Sequence, residues 1–141
     1  MALDLSEISM NEPKVILSTL WVVVLLNIIF ADIVGYMNPG DLEKVISGDV
    51  GVKITQELLL VFSILLEIPI AMVILSRILK YKYNRWANII AALITIAFVI
   101  GGGDTYLSYI FFASIEIGCL VIIIWYSWWW KEESVTFNEI T

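Results

Sequence analysis

The stretch Leu58–Leu79, LLLVFSILLEIPIAMVILSRIL, is apolar for long enough to cross a bilayer, and it carries one carboxylate, Glu67, near its middle. At a helical rise of 1.5 Å per residue, about 20 apolar residues match the hydrocarbon thickness. An ionisable group at that depth is costly, so it needs a partner, a cavity or a proton. This stretch commits the chain to a membrane and makes Glu67 its first functional candidate.

Three more apolar stretches follow the same pattern. The spans are expected over about 14–36, 54–79, 84–100 and 105–130, within one transmembrane domain covering 14–130. Polar tails are expected over 1–13 and 131–141. With 141 residues, 60% of them hydrophobic, the chain must bury its surface in lipid or in partners. Asn11 ahead of Pro13 fits a helix start. The loop after the first span holds Asn38-Pro39-Gly40 and Gly48-Asp49-Val50-Gly51, with a short helix expected over Asp41–Ile46. Pro69 lies two residues after Glu67 and cannot donate to the carbonyl of Leu65, so a kink is expected there. Gly101-Gly102-Gly103-Asp104 lacks the Lys-Ser/Thr of a phosphate loop and is expected to be a tight turn.

Charge placement sets the expected orientation. The second loop holds Arg77, Lys80, Lys82 and Arg85 without an acid, which places it in the cytoplasm. An even number of spans then places both termini there, with Lys14 and Lys131, leaving Lys44 and Lys53 outside. Trp86, Tyr81, Tyr83, Trp125, Tyr126 and Trp128–Trp130 gather at the same level and form an anchoring belt. The expected fold is an all-α up-down bundle of four transmembrane helices, N-in and C-in, in the cytoplasmic membrane. No basic stripe suits a nucleic acid.

Four stretches carry a family likeness: Leu65–Leu79 (LLEIPIAMVILSRIL), Asn84–Ile90 (NRWANII), Tyr109–Glu116 (YIFFASIE) and Ile122–Trp130 (IIIWYSWWW). Together they resemble an uncharacterised family of small prokaryotic four-helix membrane proteins, a domain of unknown function. The likeness extends from about Lys14 to Lys131, and its architecture is similar to that of the DoxX-type proteins. The resemblance implies four spans and a prokaryotic membrane, and it brings no activity with it.

On a common depth scale Glu67, Glu116 and Asn27 fall near mid-membrane, while Asp32 and Glu57 lie a turn or two nearer the outer face. No Lys or Arg inside the spans balances these acids. Two carboxylates sharing one low-dielectric site disfavour each other's ionisation. Glu67 and Glu116, if they face one another, are therefore expected to share a proton or hold a cation. Ser63, one turn before Glu67, is a candidate partner for it. Tyr109, Phe112, Glu116 and Cys119 recur as one helical stripe, and Asn84, Asn88, Ala91 and Thr95 make a small polar packing stripe on span three.

Three functions compete. The first is binding or transport of a cationic or protonatable solute at Glu67, Glu116, Asp32, Asn27 and Glu57, supported by Ser63, Pro69 and Asn88. The second is a non-enzymatic accessory subunit for a partner protein, a lipid or a quinone, or a homo-oligomer. The third, an enzyme, has least behind it. The sequence has no His, and its one Cys119 sits in an apolar run, so no cofactor or metal is expected and only acids remain for chemistry.

Overall fold

A computed structural model describes the backbone of residues 5–131 and the side chains from Glu12 onward. Among the described residues there are five helices and no strand: α1 Leu5–Gly35, α2 Asp41–Ser47, α3 Gln56–Ile78, α4 Tyr81–Gly101 and α5 Leu107–Trp129. Four of them contain stretches long and apolar enough to cross a membrane, Glu12–Gly35, Gln56–Ile78, Tyr81–Gly101 and Leu107–Trp129. The protein is an all-α membrane protein. Residues 1–4 of the expected first tail, and the expected second tail beyond Lys131, lie outside the described residues.

Local chemistry accounts for several helix ends. Thr55 caps α3 by accepting a hydrogen bond from the Leu58 amide at 3.2 Å, with Glu57 in the first turn and Arg77 in the last, each the favourable sign for its end of the helix dipole. α2 closes on Gly48 at φ 77°, a left-handed conformation in which the Gly48 and Asp49 amides return to the carbonyls of Val45 and Lys44. At Gly103 a Cβ would meet the Ile100 carbonyl oxygen at 2.9 Å, so the α4–α5 turn requires glycine. α1 does not start at Asn11; it begins at Leu5 and carries Pro13 inside it. α3 likewise runs on through Pro69, which is fully buried against the bundle.

Each long helix packs on two others. α1 lies against α3 and α5, and α4 lies against the same two, so α1 and α4 stand on one diagonal and α3 and α5 on the other. Leu17, Trp21, Val24 and Ile28 form the buried stripe of α1 at helical spacing, meeting Met72 of α3, Ala91 and Ala92 of α4, and Leu120 and Ile123 of α5. Small residues on α4 let its neighbours approach closely. α4 is accordingly the most enclosed span, with seven of its 21 residues buried, and α3 the least, with three of 23.

Candidate functional site

Polar side chains collect at the two opposite ends of α4. At the α3–α4 end four of them pair with one another, while Arg85 Nε and Ser127 Oγ, buried at the same end, have no partner among the described residues. Asn88 Oδ1 accepts from Trp21 Nε1 at 2.7 Å and from Ser76 Oγ at 3.0 Å. Its Nδ2 donates to the carbonyl of Asn84 at 2.8 Å and to Asn84 Oδ1 at 2.5 Å. Asn84 Nδ2 in turn donates to the Ser76 carbonyl at 2.6 Å. All four side chains are buried, and the network joins α1, α3 and α4 across the diagonal.

At the α4–α5 end the polar groups surround space instead. A cavity of about 600 Å³ is lined by the last turn of α1, the α2 loop and the α4–α5 turn. Its walls carry the carboxylates Asp32, Asp41, Asp49 and Asp104, the phenols Tyr36, Tyr106 and Tyr109, and a single ammonium, Lys44. That ammonium is already engaged, donating to Asp41 Oδ1 at 2.8 Å, while the Tyr106 hydroxyl reaches the same oxygen at 3.4 Å. Lys44's hydrogen bond holds the Asp41 carboxyl below the usual carboxylate range, and the same contact raises the Lys44 ammonium. The hydrogen bond to Asp41 also pushes the Tyr106 hydroxyl up. The Tyr109 hydroxyl donates to the Val99 carbonyl and ties α5 to α4 at the cavity wall.

Below the mouth, two turns further along α5 from Tyr109, or ~10 Å at helical rise, stands Glu116. It is 3% exposed, and its Oε1 has no hydrogen-bond partner among the described residues. A buried polar atom left unmatched is costly, so this group is a place to look for a bound proton, water or cation.

The sequence matches the family of unknown function DUF6326 over residues 6–137, almost the whole chain. The chain belongs to that family. No curated protein and no solved structure matches it.

In this DUF6326 member the candidate residues divide among three environments. Asp32 lines the cavity and Glu116 is buried beneath it. Glu67 is exposed on α3, diagonally across the bundle from α5, and it does not line the cavity. Ser63 turns its hydroxyl to the Leu59 carbonyl of its own helix at 2.8 Å, and Asn27 Nδ2 does the same with Val23 at 2.9 Å. Glu57 is exposed in the first turn of α3. Asn88 and the rest of its stripe, Asn84, Ala91 and Thr95, are buried, with Asn88 at the centre of the amide network.

Sequence reasoning missed Trp21 and Ser76 as the partners of Asn88, and Asp41, Asp49 and Tyr106 as walls of the cavity. Ser76 was within reach of inference, because only Leu79 and Lys80 separate α3 from α4. The loop acids carry no such signal.

Proposed function

We propose that this membrane protein binds a small cationic or protonatable solute at the acidic mouth and passes solute or proton toward Glu116. The cavity carries this reading: four carboxylates face one ammonium, and that ammonium is paired within the wall. Such a lining concentrates cations before any specific contact is made. Among the described residues no three acidic or cysteine side chains converge closely enough to chelate a metal, which favours an organic or monovalent cation over a divalent one. On this reading the bundle is up-down and DoxX-like, in a prokaryotic cytoplasmic membrane. The mouth faces outward, and both termini and the basic α3–α4 turn face the cytoplasm, as the Lys and Arg bias supports.

The test is calorimetric titration of the full chain in nanodiscs with choline, tetraethylammonium and putrescine. At least one should bind, with affinity that falls as salt rises and drops about tenfold in Asp32→Asn. Glu116→Gln should leave that binding in place and abolish uptake into proteoliposomes. Binding that is absent, or indifferent to Asp32→Asn, overturns the reading.

The exposure of Glu67 favours a second reading, that of an accessory subunit. A carboxyl at mid-span on an outward helix face is covered at least cost by a neighbouring helix that offers it a donor. Light scattering in mild detergent should then show a complex, homo-oligomeric or mixed, that Glu67→Leu dissociates.

A further inference from the structure

Between α1 and α3, at the end away from the acidic mouth, lies a groove of about 570 Å³ lined by Ser18, Thr19, Val22, Val73, Ile74, Arg77 and Ile78. Most of this lining is exposed on the outer surface of the bundle, where lipid would lie. Its floor is aliphatic and its one charge is the Arg77 guanidinium, in the last turn of α3.

That guanidinium is held in place. Arg77 Nε donates to Ser18 Oγ at 3.0 Å, and Ser18 Oγ donates to the Val73 carbonyl at 2.7 Å. Ser18 is 1% exposed, so the relay fixes an exposed cation from a buried anchor. Among the described residues no carboxylate lies within ion-pair distance of Arg77, and its two Nη groups make no hydrogen bond. A guanidinium fixed through Nε presents the Nη pair as a planar fork, a geometry that suits two oxygens of a phosphate. Exposed Trp86, Trp125, Trp128 and Trp129, with Lys80 and Lys82, lie toward the same end of the bundle and put the fork at headgroup level.

We propose that the α1–α3 groove is a binding site for an anionic glycerophospholipid, with its phosphodiester on the Arg77 fork and an acyl chain along Val22, Val73 and Ile74. Charge complementarity selects an anion, and the aliphatic floor selects one with a hydrocarbon chain attached. A free phosphate satisfies only the first condition.

The test is native mass spectrometry of the detergent-solubilised full chain with dioleoyl phosphatidylglycerol, dioleoyl phosphatidylcholine, or chain-free glycerophosphoglycerol. One phosphatidylglycerol should be retained in preference to phosphatidylcholine, and glycerophosphoglycerol should not displace it. Arg77→Gln should weaken retention about five- to tenfold, and Arg77→Lys, which keeps the charge without the fork, by less. Val22→Trp fills the groove and leaves Arg77 untouched, so it should also expel the lipid; it serves if Arg77→Gln does not fold. Lys80→Gln, outside the groove, should change little. Equal retention by wild type, Arg77→Gln and Val22→Trp overturns the site, and displacement by the chain-free headgroup overturns its assignment to a lipid.

Discussion

The two ends of α4 solve the same problem in opposite ways. At one end Trp21, Ser76, Asn84 and Asn88 satisfy each other inside the bundle. At the other, Asp32, Asp49 and Asp104 face open space and Glu116 keeps an unmatched oxygen. A closed network fixes how helices meet, because every donor has one acceptor to find. A buried carboxyl oxygen without a partner, as in Glu116, lowers stability without specifying packing. The amide end clamps three helices together, and the acidic end is where the proposed solute would bind.

Breaking the clamp should have the largest effect. Asn88→Leu strands the Trp21 indole N–H and the Ser76 hydroxyl in the interior, and should cost about 2–3 kcal/mol in a chemical unfolding titration. Trp21→Phe removes the donor together with its contact and leaves Asn88 bonded to Ser76, so it should cost less. If the two variants are equally destabilised, the network is not what holds α1 to α4.

The opposite sign is expected at the other end. Glu116→Leu removes the unmatched carboxyl and should raise stability by about 1–2 kcal/mol in the same titration. Destabilisation would make Glu116 a structural partner and erase the contrast between the two ends. Glu67→Leu, on an exposed face, should change the stability of the single chain in detergent far less than either.

The smallest effect concerns the mouth itself. Asp41 is held low by Lys44, so its contribution is present above the usual carboxylate range and is lost as pH falls through the lowered value. Lys44 is held high, so its contribution is present below the usual ammonium value and is lost as pH rises through the raised one. Amide exchange in α2 should therefore be slowest between these limits and quicken on both sides beyond intrinsic exchange. Lys44→Gln should remove both limbs without a measurable shift in melting temperature, since the pair is exposed and screened. Exchange quickening on neither side would show that the pair does not hold the α2 loop in place.

The number and approximate length of the apolar helices were legible in the sequence, and so was α2, bracketed by Gly40 and Gly48. The buried stripe Asn84, Asn88, Ala91 and Thr95 could be read because α4 mixes small polar and large apolar residues, which gives its faces a contrast. α3 is apolar nearly all round, so its sequence places Glu67 midway along the helix but does not say which way it points. The same holds for α1: nothing local distinguishes buried Trp21 from exposed Val22. Asp41, Asp49 and Asp104 belong to turns, and their convergence on one cavity depends on how the helix ends meet.

The amide network also has an order built into it. Ser76 is 12 residues from Asn88 and 8 from Asn84, whereas Trp21 is 67 from Asn88. Closing a short loop costs less entropy than closing a long one, so α3 and α4 can join as a hairpin on their own. A growing chain makes α1 first, and its indole then waits without its acceptor until α4 has been synthesised. Within the network the Trp21–Asn88 bond is thus the one with the longest loop to close.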